Sequence, residues 1–287
     1  MKLKTYKKTT DGVECEFVEF GHYPQSADSG DATPIEWRVL EKSGGELLLM
    51  SESILDCVRY HGTEGRDNVQ WQDSLIRAWL NNDFFNKAFG TLSKAEQDCI
   101  VTSSSTGNGV FWHSDSKVVC WQEDNWRENR YTYDADGCAD TRDKVFLLNV
   151  EEARRYFGKD GEIQITRYDE DRSYPGTHFI NSKRAAQATP FAQWQKSCNA
   201  EKLNKRLFVY QGNESGYGEE LHCKLKRFTG NSRWWLRNRC RLHGMNLAWV
   251  VFEDGNITAH YVRRHDIGVR PCIRIQLGGM EEKINGL

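Results

Sequence analysis

Alternating apolar and polar positions predict short β-strands near both ends of the chain. Two pairs of these runs flank tight-turn sequences, Gly44-Gly45 in the first half and Asp254-Gly255 in the second. Turns of this kind join antiparallel strands, so we expect two β-hairpins. Pro271 lies within the last run and indicates that strand pairing is interrupted there. The predicted strands are 13–20, 35–40, 46–50, 145–148, 207–210, 247–252, 257–262 and 268–275.

Helical spacing of apolar residues predicts short helices between these strands. The pattern over 74–89 is expected to break at residues 81–83, which gives two helices. Ser93 and Glu96 form a capping-box sequence for a third helix. Asn149 is expected to cap a helix over 150–157, and Gly158 to end it.

One further helix is predicted over 182–198, with Ala185, Ala186, Phe191 and Trp194 facing inward and Pro190 interrupting it. Two stretches, 102–142 and 159–230, look like insertions because most of their length has no clear period. Strands and short helices follow one another without regular βαβ alternation. The predicted fold class is therefore α+β, in a single domain over 1–287.

Composition adds a core and an uneven charge to this picture. Hydrophobic residues make up 38% of the chain, and ten tryptophans are present, so disorder is excluded. The net charge is −2, yet residues 224–275 hold eleven Lys and Arg against three acids, a local charge of +8 that leaves −10 for the remainder. A basic end on an acidic body predicts an anionic or electron-rich partner. Structural arginines that pair with acids of the body are the alternative explanation.

The N-terminus is basic and no apolar run follows it, so neither a secretion signal nor a membrane span is predicted. We therefore expect a soluble, cytoplasmic protein. Its nine cysteines are odd in number and form no CxxC pair, which indicates mostly reduced thiols. Neither a disulfide scaffold nor a zinc site has the required spacing.

Several motifs in order resemble a family of bacterial domains of uncharacterised function that has a C-type lectin-like fold. Some members of that family are the variable proteins of diversity-generating retroelements, and formylglycine-generating enzymes are more distant relatives. The resemblance covers both ends and the helices between them, but not the two insertions. The motifs are FGHYPQ at 20–25, IEWRVL at 35–40, SLIRAWL at 74–80, KVFLL at 144–148, WWLR at 234–237, Asp254-Gly255 and GVRP at 268–271.

This resemblance implies a domain in which the N- and C-terminal strands pair, two principal helices pack against them, and a small antiparallel sheet presents the binding face. In the diversified members, that face is formed by substituted positions between constant blocks near the C-terminus. In this chain those positions are 239–246 and 260–265, within a binding region that spans 233–275.

The predicted function is accordingly non-enzymatic recognition of another protein through one variable C-terminal surface. Arginine, tyrosine and methionine are enriched at protein interfaces. Tryptophans and two arginines are expected to hold the strands as a rigid frame. The candidate ligand-binding residues are Arg239, Arg241, His243, Met245, Asn246, His260, Tyr261, Arg263, Arg264 and His265, and the frame residues are Trp234, Trp235, Arg237, Trp249 and Arg270.

Three alternatives use the same part of the chain or the insertions. The arginines beside aromatic residues would suit nucleic acid or another anionic ligand, although no known nucleic-acid motif accompanies them. Cys240 and Cys272 would be the thiols of an oxidase like the formylglycine-generating enzymes. The acidic segment 134–143 has some of the oxygen spacing of a calcium loop but lacks its closing glutamate. No cofactor, catalytic residue or transition-metal site is predicted, and the oligomeric state stays open.

Overall fold

The computed structural model describes residues 3–10, 12–27, 31–62, 69–105, 111–113, 132–135, 140–158, 162–168, 174–180, 183–206, 231–242, 245–253, 255 and 257–277. Most of the regular structure in these ranges is β. The strands are β1 (Lys4–Thr10), β2 (Val13–Pro24), β3 (Ala32–Ser43), β4 (Glu46–Ser51), β5 (Asp56–Cys57), β6 (Ile100–Val101), β7 (Ser103–Ser105), β8 (Phe111–His113), β9 (Thr132–Ala135), β10 (Thr141–Asp143), β11 (Val145–Phe146), β12 (Glu162–Tyr168), β13 (Tyr174–Ile180), β14 (Trp234–Leu242), β15 (Met245–Val251), β16 (Ile257–Tyr261), β17 (Gly268–Val269) and β18 (Cys272–Gln276).

Two larger sheets organise the described strands. The first is antiparallel with the order β1-β2-β3-β4-β18-β11, and β6 also pairs with β18. The second has the order β16-β15-β14-β17-β5, and the hairpin of β8 and β9 joins it through β14. Strands β7 with β10 and β12 with β13 form separate pairs. The described part is thus a mixed fold of mostly antiparallel strands with few helices.

The two hairpins predicted from turn sequences are confirmed. Gly44 and Gly45 have φ values of 58° and 77° between β3 and β4, a conformation that glycine adopts without steric cost. Strands β15 and β16 pair from Leu247 with Tyr261 to Val251 with Ile257. The predicted strand over 207–210 lies outside the described residues.

The last predicted strand is divided at Pro271 into two strands that belong to different sheets. β17 pairs in parallel with β14, whereas β18 pairs with β4. Gly268 permits the first pairing, because a Cβ there would lie 2.3 Å from a methyl carbon of Ile54 and 3.0 Å from the carbonyl oxygen of Arg233. The C-terminal strand β18 therefore lies in the sheet of the N-terminal strands β1 to β4, in agreement with the pairing of N- and C-terminal strands that the family resemblance implied.

The described helices are short, and their bounds partly differ from the prediction. Asn81 does not break the first helical segment, because its side-chain amide donates to the carbonyl of Arg77 and accepts from the backbone of Lys144 and Val145. A π-helical turn instead continues the helix. The helices are α1 (Leu75–Trp79), the π turn (Leu80–Phe84), α2 (Phe85–Phe89), α3 (Lys94–Asp98), α4 (Val150–Phe157) and α5 (Pro190–Arg206), with a 3-10 turn over Trp71–Asp73.

Residues at the N-terminal ends of α3, α4 and α5 explain where these helices begin. The capping boxes at Ser93 and Asn149 are both confirmed. Helix α5 begins at Pro190 and not at residue 182, because proline suits the first helical position and Thr189 accepts a hydrogen bond from the backbone of Ala192. Phe191 is buried as predicted, but Trp194 is 44% exposed.

One continuous hydrophobic core contains residues from both larger sheets and from the helices. Trp37, Trp71, Trp234, Trp235 and Trp249 are its largest side chains. Among the described helices, none combines the length and apolarity that a membrane crossing requires.

Candidate functional site

The frame of the C-terminal region is buried and hydrogen-bonded. Trp234 and Trp235 are completely buried in β14, and their ring N–H groups donate to the carbonyls of Arg184 and Val58. Trp249 lies in β15 and is also buried. Since these rings pack between the sheets, the backbone of β14 and β15 is held firmly from inside.

Arg237 and Arg270 also stabilise this buried frame, through hydrogen bonds to backbone carbonyls. Arg237 donates to the carbonyl of Leu147 at 3.0 Å, and Arg270 donates to the carbonyls of Ser51 and Glu52 at 3.1 and 2.9 Å. The Arg270 guanidinium also lies over the Trp234 ring, 5.0 Å from its centre. Burial lowers the pKa of Arg270 to about 10, so the group remains charged at neutral pH.

Arg239 corrects the expected ligand-binding set, because it is only 5% exposed. Strand β14 is a central strand, flanked by β15 on one side and by β9 and β17 on the other. Every residue from Trp234 to Cys240 in β14 is buried, and successive side chains point to opposite faces, so both faces of this part of the strand are covered. The basic residue at 239 therefore belongs to the interior and not to an exposed surface.

The segment around the end of β16 does reach the surface. Tyr261 is 43% exposed, Arg263 is exposed, and the Arg263 guanidinium lies 5.6 Å from the centre of the Tyr261 ring. His260, Arg264, His265 and Asn246 are half-buried. A backbone hydrogen bond of 3.0 Å from Val262 to the carbonyl of Asn246 holds this segment against β15.

The other predicted residues are placed only by their backbone or not at all. Arg241 pairs with Asn246 across β14 and β15, and with Asp134 of β9 on its other side. Met245 pairs with Leu242. His243 lies outside the described residues. The insertion at 102–142 thus contributes a strand directly beside the predicted binding segment.

Two carboxylates that the sequence analysis did not select complete the site. Arg233 donates to both carboxylate oxygens of Glu253, at 3.1 and 3.2 Å, and its guanidinium lies over the Phe252 ring. Arg264 makes two hydrogen bonds to Asp266, at 2.7 and 2.6 Å. Although burial opposes it, this pairing holds the pKa of Asp266 below its ordinary value.

The ring of His260 lies between these ion pairs. Its Nδ1 accepts a hydrogen bond of 2.9 Å from the backbone N–H of Tyr261, and its Nε2 is 3.4 Å from Nη1 of Arg233. Burial, followed by the charges of Arg264 and Arg233, lowers the pKa of His260 to about 4, although Asp266 acts in the opposite direction. His260 is therefore neutral at pH 7.

The two cysteines of the oxidase alternative do not form a reactive pair. Cys240 lies in β14 and Cys272 in β18, in different sheets, and neither forms a disulfide. Both are completely buried, and burial raises the pKa of the Cys272 thiol. A buried, protonated thiol is a poor nucleophile and a poor metal ligand.

The acidic segment 134–143 shows no calcium arrangement in its described part. Both oxygens of Asp143 are occupied, because they accept hydrogen bonds from Trp71, Arg77 and Thr141. Asp140 is exposed, and Asp136 lies outside the described residues. Nowhere in the described ranges do three or more His, Cys, Asp or Glu residues gather as a metal site would require.

Residues 44–277 match the family described as a domain of unknown function, DUF6273. That range covers most of the chain and includes the second sheet, the buried frame and the exposed end of β16. No curated protein and no solved structure matches the chain. The chain therefore belongs to the DUF6273 family.

Proposed function

We propose that this protein is a non-enzymatic recognition domain that binds another protein through its C-terminal surface. We define this recognition surface as Arg233, Asn246, His260, Tyr261, Arg263, Arg264 and His265. The observation that carries the proposal is the exposed pair of Tyr261 and Arg263, which lies at the end of β16, beside the buried residues 247–251 of β15. Tyrosine and arginine are among the residues that most often dominate binding energy at protein interfaces.

The support beneath this surface favours recognition. Val262 follows Tyr261 and is buried, and its backbone is fixed to Asn246 and His61 by hydrogen bonds of 3.0 and 2.9 Å. An exposed aromatic ring on a rigid backbone loses little conformational entropy on binding. The surface can therefore change its side chains while the tryptophan-rich frame keeps its position.

This separation of frame and surface also suits the proposed kinship with C-type lectin-like variable proteins. In such a protein, substitutions at exposed positions would alter the ligand and leave the fold intact, because surface changes cost about 0.5 kcal/mol or less. A reverse transcriptase gene and a near-copy of the 3′ coding segment beside this gene would identify a diversified system.

The balance of charge favours a protein ligand over nucleic acid. Glu253 and Asp266 neutralise two of the three described arginines on the recognition surface or at its edge. Binding to a phosphate backbone relies on several unpaired cations, and its affinity falls steeply with salt. A surface with little excess charge suits a partner that offers both apolar and polar contacts.

Affinity capture followed by titration tests the proposal. The immobilised chain captures proteins from lysate of the cells that produce it, and each purified candidate is titrated by calorimetry. Replacing Tyr261 and Arg263 together with serine should weaken binding about 30-fold or more, because both are expected anchors. The melting temperature should stay nearly unchanged.

The matched control is Arg155→Ser, which removes an exposed arginine of α4 that pairs with Glu41 and is remote in sequence from the surface. Binding by this variant should equal that of the unchanged protein. Equal binding by the Tyr261 and Arg263 double variant would refute the proposed surface. A ligand that proves to be nucleic acid, with steep salt dependence, would refute a protein partner.

A further inference from the structure

The imidazole of His260 faces an N–H donor at each of its two ring nitrogens. The backbone N–H of Tyr261 points to Nδ1, and the Arg233 guanidinium reaches Nε2. A neutral imidazole has one accepting nitrogen and one N–H. It can therefore satisfy only one of these two donors.

The backbone contact decides which donor is satisfied. The amide of Tyr261 can only donate, and at 2.9 Å it requires Nδ1 to accept. The single proton of the neutral ring is then on Nε2, where it faces the N–H of Arg233 across 3.4 Å. Two donors are aimed at the same region, and no described side chain places an acceptor between them.

An oxygen atom with negative charge fits this arrangement. An oxygen about 2.9 Å from each nitrogen is at an ordinary hydrogen-bond distance, and rotation of the partly exposed Arg233 side chain would direct its N–H toward that oxygen. The site is open to such an atom, because His260 is half-buried and the Arg233 side chain is 26% exposed. Hydrogen bonds from a guanidinium to a carboxylate are roughly twice as strong as neutral ones.

We propose that Arg233 and His260 form a carboxylate-binding position, which takes an acidic side chain of the protein ligand. This inference rests on the proposed function, because it names the chemistry by which the recognition surface selects its partner. Tyr261 and Arg263 provide the neighbouring aromatic and cationic contacts.

The surrounding charges favour one carboxylate over a polyanion. Arg233 precedes β14, Glu253 follows β15, and Arg264 with Asp266 follows β16. With Arg263 these groups contribute three positive and two negative charges. The excess of one positive charge matches a single carboxylate, whereas a nucleic acid would bring several phosphates near Glu253 and Asp266.

Nuclear magnetic resonance of the histidine rings tests the site with simple probes. The full chain is titrated at pH 7 with a short capped polyglutamate peptide, and separately with the polyglutamine peptide of equal length, inorganic phosphate and single-stranded DNA. Polyglutamate should move the His260 ring signals in a saturable way, while polyglutamine leaves them unchanged. The signals of His22, in the first sheet, are the internal control.

Variants at the two donors sharpen the result. Arg233→Gln should weaken polyglutamate binding about tenfold or more, because it removes a charge-assisted hydrogen bond. Arg233→Lys should weaken it less, because the charge is kept but the planar fork is lost. In His260→Gln, the amide oxygen can accept from Arg233 internally, so this variant should fold and bind polyglutamate more weakly, as measured by calorimetry.

Each outcome has a defined meaning. No His260 response to polyglutamate, or an equal response in Arg233→Gln with an unchanged melting temperature, would overturn the carboxylate site. Saturable binding of DNA or phosphate in preference to polyglutamate would overturn the assignment to an acidic protein segment. These tests substitute Arg233 and His260, whereas the test of protein binding substitutes Tyr261 and Arg263, so failure of this site and failure of the proposed protein binding remain distinguishable.

Discussion

Arginines of the same region have two different surroundings in this protein. Arg237 and Arg270 are buried and donate to backbone carbonyls of other elements, in addition to longer ion pairs with Glu152 and Glu52. Arg233 and Arg264 are partly exposed and donate to the carboxylates of Glu253 and Asp266. The first pair connects parts of the frame, and the second pair lies at its surface.

The hydrogen-bond acceptors of each pair of arginines determine whether that pair is available to a binding partner. A backbone carbonyl is part of the fold and cannot be exchanged, so Arg270 links β4, the turn after it and the Trp234 ring permanently. A carboxylate side chain is mobile and can be replaced by a carboxylate of a partner. Paired arginines at the surface are therefore available for recognition, and buried ones are not.

The largest expected effect comes from breaking the frame at Trp235. Trp235→Ala removes a completely buried ring, its hydrogen bond to Val58 and its edge contact with Tyr60. We expect a loss of about 3–5 kcal/mol in the free energy of unfolding, which is a large share of the total for an ordinary domain. Urea unfolding measures it, and a loss below about 1 kcal/mol would show that the ring does not hold the frame.

Arg270→Met should have the next largest effect, a loss of about 3 kcal/mol in the free energy of unfolding. The substitution leaves the carbonyls of Ser51 and Glu52 without their buried donor, and each unsatisfied group costs about 1–3 kcal/mol. Glu52 keeps two hydrogen bonds to Arg38, which limits the loss.

Arg264→Met is the matched comparison, because it removes the same charge from a partly exposed ion pair. We expect it to cost about 1 kcal/mol or less. Thermal and urea unfolding of both variants measure the difference. Equal losses in the two variants would remove the distinction between frame arginines and surface arginines.

A feature of this structure could be predicted from the sequence when residues close together in the chain determine it. The turn at Gly44-Gly45 and the capping box at Ser93 were predictable, because each involves neighbouring residues. The burial of Arg239 was not, since it depends on which other parts of the fold cover the faces of β14.

The partners within the candidate site were hidden for the same reason. Arg233 and Glu253 are twenty residues apart and meet because the start of β14 pairs with the end of β15, Trp234 with Val251. An arginine beside tryptophans looks the same in sequence whether it ends in the core or at the surface. The class of the fold could be predicted from periodicity, but the selection of surface arginines required the sheet topology.

The smallest expected effect is the contribution of His260 to the pH dependence of stability. Its folded-state pKa of about 4 lies below the ordinary value of about 6.5. The unfolded chain therefore binds the proton first as the pH falls, so the contribution to stability is present above about pH 6.5 and is lost toward pH 4. A full shift would be worth about 3 kcal/mol in a buried group, and partial exposure reduces it to about 1 kcal/mol.

Urea unfolding of the unchanged protein and of His260→Gln, at pH 7 and near pH 4.5, measures the difference. The variant should lose about 1 kcal/mol less over this range, and identical losses would mean that burial and the charges of Arg264 and Arg233 do not lower the pKa of His260 in solution.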